Sequence, residues 1–409
     1  MMKRLTALLL ALLLALSLCA CKPEGDYGFS EPEWMTDAPP ESETQQTDVP
    51  TPSVPEPTVE EYITGIISAE YTEPKNVILI IGDGMGINDL VIAEKYSDGL
   101  YDFGLVMNKI TNKGLVTTGA LDNAVTDSAA SGTALSTGTK TNLGYIGKAA
   151  DGTDLEVLAE FARKSNKKIG IVTDDELFGA TPASFVTHNI SRYNYGELAM
   201  GMLNFAPEVM IGSSYDNYFN NLTEEGKTAL NEKYAIAQSL ADFETVSTDS
   251  TANGKYFAGF NGGCTTGVSE HLAISAKTAL SLLENENGFF LMIEGCGTDV
   301  FGHSNTIDGK KSGVLNLDKT VEAVLAFMQS HPDTLLIITS DHETGGVSLP
   351  EEGKEPDASV FTATTHTAAE VRVFAVGKGS EYFSDKTVDN TEIATFIKNA
   401  LTEKTAETE

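Results

Sequence analysis

The sequence predicts an α/β protein: a largely parallel central sheet with helices on both faces. Three observations predict it. Short, wholly apolar runs recur along the chain, stretches with helical spacing separate them, and three of the runs end in carboxylates. Runs without polar alternation belong to strands buried on both faces, as in parallel sheets covered by helices. In open α/β sheets, ligands collect at the carboxyl ends of such strands.

The first buried strand is expected at residues 76–81 (Asn-Val-Ile-Leu-Ile-Ile), with others at 168–172, 288–293 and 334–339. Their length and branched residues suit strands. Residues 155–164, 272–283 and 314–328 carry apolar side chains at helical spacing. The first run exits into Gly82-Asp83-Gly84-Met85-Gly86, the third into Glu294-Gly295, and the fourth into Ser340-Asp341-His342-Glu343. A single acidic strand end is ordinarily a turn or a helix cap. Three of them, one beside a histidine, are better explained by cations.

The six histidines sharpen this reading. Asp299 and His303 are four apart, so one helical turn or a tight loop points both the same way. His342 adjoins Asp341, and His366 precedes the apolar run 371–376. Imidazole with carboxylate is a good ligand set for zinc. His188, His271 and His331 read as solvated or core histidines. A nucleophile candidate lies in Thr126-Asp127-Ser128-Ala129-Ala130-Ser131-Gly132-Thr133-Ala134. Its small residues suit a helix start with Ser128 in the first turn, where backbone N–H groups and the helix dipole favour an anion. An ordinary N-cap is the competing reading of the Asp-Ser pair. Serine is a weak nucleophile until a base or metal activates it, and Asp83 with Asp341-His342 could supply the metal.

Composition narrows the partners. With 59 acidic against 27 basic residues the formal net charge is −32, which argues against nucleic acid or an anionic lipid surface as a general partner. A small anionic substrate stays compatible, because bound cations reverse the local field. Hydrophobic residues make up 41% of the chain, enough for a sizeable core. The ends differ from the body. A basic start (residues 1–4) and an apolar stretch (5–18) have the pattern of an export signal. Leu18-Cys19-Ala20-Cys21 resembles a bacterial lipobox, which would make residues 1–20 a signal peptide and Cys21 the lipidated first residue; a plain signal peptide or an uncleaved anchor is the competing reading. Residues 21–61 hold eight of the fourteen prolines amid Glu and Thr, the composition of an extended tether. Residues 62–409 are expected to form the folded body. Cys264 and Cys296 remain within it; export permits a disulfide between them, and the sequence leaves open whether they meet.

Gly82-Asp83-Gly84-Met85-Gly86, Asp127-Ser128-Ala129-Ala130-Ser131, Ala180-Thr181-Pro182-Ala183, Glu294-Gly295 with Asp299 and His303, Asp341-His342 and His366-Thr367 together resemble the bacterial alkaline phosphatases, in the family's order and at compatible spacings. The resemblance runs from residue 76 to about 401. It implies hydrolysis of small phosphate monoesters through a phosphoserine on Ser128, with two Zn²⁺ and one Mg²⁺. Asp83, Asp341 and His342 would hold the zinc that activates the serine, and Asp299, His303 and His366 the other. Asp83, Thr181 and Glu294 would hold magnesium, and Arg192, eleven residues beyond Thr181, would clamp phosphate. Family precedent implies a homodimer; residues 215–265, which do not match the family in detail, are expected to form a crown or lid that shapes substrate access. Two positions depart from the family pattern. Gly179 stands where an Asp or His is usual, and Val300 where a Lys or His is frequent. Gly179→Asp is therefore expected to tighten magnesium binding.

Two other readings compete. A phosphodiesterase, nucleotide pyrophosphatase or sulfatase of the same superfamily is disfavoured by Arg192, which a second ester group would crowd, and by the absence of a Cys/Ser-x-Pro-x-Arg motif at Ser128. A non-catalytic phosphate-binding lipoprotein is disfavoured by retention of the nucleophile and the direct ligands.

Overall fold

The computed structural model describes residues 58–96, 103–239, 241, 246–251, 253–259 and 263–402. The expected signal peptide, Cys21 and nearly all of the expected tether lie outside them. The expected buried strands become β1 (Asn76–Gly82), β3 (Lys168–Thr173), β7 (Phe289–Gly295) and β8 (Thr334–Thr339). They join β2 (Lys113–Thr117), β4 (Val209–Gly212), β5 (Ala235–Ala237), β6 (Tyr256–Gly259), β11 (Val371–Val376) and β12 (Thr387–Asp389) in one ten-stranded sheet. Its order is β12-β2-β11-β8-β1-β7-β3-β4-β6-β5. All neighbours run parallel except β11, which is antiparallel to both β8 and β2. A separate ribbon pairs β9 (Glu343–Thr344) with β10 (His366–Thr367).

Strand periodicity divides the core in two. Val77, Leu79 and Ile81 of β1 join one apolar cluster, while Ile78 and Ile80 join the other on the opposite face. The helices Ser128–Thr137, Leu158–Lys164, Tyr195–Phe205 and Asn390–Thr402 cover the first face. The helices Val59–Ile67, His271–Leu283 and Ile307–Ser330 cover the second.

Several expectations shift: the helix expected at 314–328 spans Ile307–Ser330. The helix Val59–Ile67 takes in residues assigned to the tether, because Thr58 and Glu61 form a capping box and Ile63 and Ile66 are buried. The helix expected from 155 begins at Leu158, where Glu160 bonds back to the Val157 N–H. The stretch 215–265, expected as a crown or lid, instead builds the sheet edge in its described residues. There β6 pairs in parallel with β4 and β5, and Phe257 packs among Tyr215, Tyr218 and Tyr234. Cys264 and Cys296 do meet, in a disulfide with Cα atoms 6.3 Å apart. No described helix is long and apolar enough to cross a membrane.

Candidate active site

The three central strands β1, β7 and β8 lie side by side in register, with Ile81 opposite both Glu294 and Thr339. Each delivers its acid at one edge of the sheet: Asp83 just after β1, Glu294 in β7, and Asp341-His342 just after β8. The loop after β1 turns through Gly84 at φ 68°, and a Cβ there would lie 2.6 Å from Thr344 Oγ1 and 2.8 Å from Asp299 Cα. Only glycine permits that approach, and it brings Asp83 against the helix Gly297–His303, which carries Asp299 and His303.

Ser128 begins the helix Ser128–Thr137, all ten residues of which are buried. Asp127 is its N-cap, its Oδ1 accepting from the Ala130 N–H at 3.0 Å. The competing N-cap reading of the pair is therefore true of Asp127, while Ser128 turns toward the strand ends: its Oγ lies 3.2 Å from His342 Nε2. Gly132 lets the short helix Ala180–Ala183 press close, since a Cβ there would meet Ser184 Oγ and lie 3.6 Å from Thr181 Cα.

Two donor clusters result. His342 Nε2 lies 3.4 Å from Asp83 Oδ1 and 3.3 Å from Asp341 Oδ2. Asp299 Oδ1 lies 3.3 Å from both His303 Nε2 and His366 Nε2. The His342 and His366 rings stack at 3.5 Å between centroids, so the clusters touch. Each histidine has its other nitrogen engaged: His303 Nδ1 with Thr364 O at 2.8 Å, His366 Nδ1 with Thr126 O at 2.9 Å, and His342 Nδ1 with Thr344 Oγ1 at 3.2 Å. This leaves the three Nε2 atoms facing the acids, the pattern by which metal-binding histidines are oriented. Glu294 is fixed by Thr173 Oγ1, which donates to its Oε2 at 2.6 Å.

Asp341 and His342 are fully buried, and Asp83, Glu294, Thr181 and Ser128 nearly so. His303 is the open member, and with Asp299, His366, Ser128, Arg192 and Asp175 it lines a cavity of about 430 Å³. Burial raises the pKa of Asp83, and the Asp341, Asp299 and Glu294 carboxylates raise it further. Burial and then Asp299 push Asp341 up to about 7. Burial and then His366 push His342 down to about 3. Burial also opposes charge on Asp299, yet hydrogen bonds from His303 and His366 hold it well below the carboxylate range. Arg192 reaches the cavity beside Asp127, with Nη1 at 3.1 Å from Asp127 Oδ2.

Every described site residue expected from sequence therefore comes to one edge of the sheet or to the helices and loops packed there, while Cys21 lies outside the described residues. The sequence reading missed Thr344, whose Oγ1 donates to Asp299 and meets His342, tying the clusters together. It also missed Thr173 and Asp175. Asp174-Asp175 follows β3 and satisfies the same strand-end rule that flagged Asp83 and Glu294, so a signal was present; Thr344 carried none.

The model of the family described as alkaline phosphatase matches residues 74–221 and 268–357. Alkaline phosphatase 3 of Bacillus subtilis is 33% identical over 321 residues, spanning 74% of this chain and 67% of that protein. The solved alkaline phosphatase of the Antarctic bacterium TAB5 superimposes with a TM-score of 0.71 at 31% identity, covering 81% of this chain and 99% of that one. A mutant of the TAB5 enzyme, with the same TM-score, identity and coverage, has Mg bound in a site designated M3. The chain is a phosphatase and belongs to the alkaline phosphatase family.

Proposed function

We propose that this phosphatase hydrolyses phosphate monoesters through a phosphoserine on Ser128, at a site that holds two zinc ions and one magnesium ion. The observation that carries the reading is the 3.2 Å approach of Ser128 Oγ to His342 Nε2 amid converging donors. Asp83, Asp341 and His342 would hold one zinc; Asp299, His303 and His366 the other; Asp83, Thr181 and Glu294 the magnesium. The residues fit these ions. Asp83 Oδ1, Asp341 Oδ2 and Thr181 Oγ1 are buried without a hydrogen-bond partner, which is costly unless a cation meets them. When bound, such ions stabilise charge on the attacking and departing oxygens.

The chain's own residues do the rest. Ser128 Oγ attacks phosphorus in line as the ester P–O bond breaks and the alcohol leaves. Arg192, steadied by Asp127, grips phosphate oxygens in its planar fork. The N-terminal N–H groups of the Ser128 helix add stabilisation where charge accumulates. Water enters through the cavity on the His303 side, attacks the phosphoserine and releases phosphate, restoring the Ser128 hydroxyl. The test is turnover of p-nitrophenyl phosphate beside bis-p-nitrophenyl phosphate. The monoester is expected to be the better substrate, and Ser128→Ala to lower its turnover by several orders of magnitude while zinc content holds. Zinc loss in that variant would make Ser128 structural. Export and lipid anchoring through Cys21 belong to the same proposal. They rest on residues 1–21, and labelled-fatty-acid incorporation that survives Cys21→Ala would reject them.

A further inference from the structure

Position 179 lacks the acid or imidazole expected there, yet the space into which its side chain would grow is not open. A Cβ on Gly179 would lie 3.2 Å from Asp175 Oδ2 and 2.8 Å from the Glu176 carbonyl oxygen. A carboxylate oxygen already stands there, delivered from four residues upstream. The backbone fixes its origin. The Asp175 N–H donates to Thr173 Oγ1 at 2.9 Å, and that hydroxyl donates to Glu294 Oε2. The Asp175 carbonyl accepts from the Ser213 N–H at 2.9 Å. Asp175 is thus tied through one threonine to Glu294. It also lines the cavity with Ser128 and Arg192.

Acids crowded together are not by themselves a site. Here two buried oxygens with no hydrogen-bond partner, Thr181 Oγ1 and Asp83 Oδ1, accompany them. Thr181 lies two residues beyond Gly179, on the helix that the Asp175 loop leads into, and Asp83 interacts directly with the Glu294 charge. Oxygen-only donors suit a hard divalent ion, and magnesium keeps several of its waters when bound. Groups that order such waters contribute to affinity without touching the ion.

We infer that Asp175 supplies the carboxylate that position 179 lacks, ordering the water ligands of a magnesium ion held by Asp83, Thr181 and Glu294. This rests on the metal assignment under Proposed function and deepens it. It also reverses the expectation for Gly179→Asp: the added side chain meets a backbone carbonyl and a like charge, so magnesium binding is not tightened.

The test is calorimetric titration of Mg²⁺ into the zinc-loaded full chain, with metal analysis of the same samples. Asp175→Asn is expected to weaken magnesium binding by about 10–100-fold with zinc content unchanged, and Asp175→Ser to do the same. Gly179→Asp is expected to show no gain in affinity. Wild-type magnesium affinity in both Asp175 variants overturns the inference. So does a tenfold tightening in Gly179→Asp, or zinc loss on changing Asp175, which would make it a general support of the loop. A wild-type chain that takes up neither metal overturns the underlying assignment as well, and the metal analysis separates the two failures.

Discussion

Asp127 shows how one carboxylate serves two tasks. One oxygen caps the Ser128 helix and also accepts from the Gly144 N–H, while the other holds Arg192. Asparagine preserves a cap but gives up the charge. Asp127→Asn is therefore expected to leave the fold intact while inhibition by inorganic phosphate weakens about fivefold, about 1 kcal/mol for a partly exposed pair. Inhibition kinetics against p-nitrophenyl phosphate measure it, and an unchanged inhibition constant would mean that Arg192 holds its position alone. The clustered acids and histidines were legible because they fall at the ends of apolar runs and in motifs that match the family in order and spacing; adjacency to an acid alone would also have flagged His271, beside Glu270. Thr344 was not, because a threonine that bonds two ligands looks like any other threonine. Asp175 was hidden differently, since its carboxylate reaches the space beside position 179 from four residues upstream.

At the level of elements, the strands read correctly from sequence were the central ones. β1, β7 and β8 are buried on both faces, so all but the residues near their ends are apolar. β2 alternates buried and half-exposed residues, and β5 and β12 are three residues long at the sheet's rims; such strands carry too few apolar side chains to stand out. The long helix Ile307–Ser330 hides polar work inside an apolar pattern. Its Lys310 pairs with Asp89 at 2.8 Å, both nearly unexposed. Its Asp318 accepts from the Val106 and Met107 N–H groups at 2.9 and 2.8 Å, tying down the short helix Val106–Lys109. Burial pushes the Asp318 carboxyl up from 3.8 to about 7. A raised folded-state pKa contributes stability that is full below the unfolded value and is lost as pH climbs through the folded one. The stability advantage of wild type over Asp318→Asn should thus shrink between about pH 4 and pH 7. Urea midpoints of both proteins across that window test this; a constant difference would mean that Asp318 titrates normally.

For the molecule as a whole, the buried acids dominate the balance. Asp83, Glu294 and Asp341 sit together at the heart of a chain of net charge −32, and ligands that bind only the folded state stabilise it by mass action. Chelation is expected to lower the melting temperature of the purified protein, with recovery on adding zinc and magnesium; an unchanged melting curve would mean that the acids need no cations. The last described helix, Asn390–Thr402, ends at the rim of the sheet opposite Ser128. Glu73 and Lys75, just ahead of β1, share a cavity with Leu401 and Thr402 and with Asn287, just ahead of β7. That is the amino-terminal rim of the sheet, the reverse of the rim that carries Ser128. A probe fixed at Asn287 or Thr402 would therefore report from the back of the sheet and leave the mouth beside Ser128 clear.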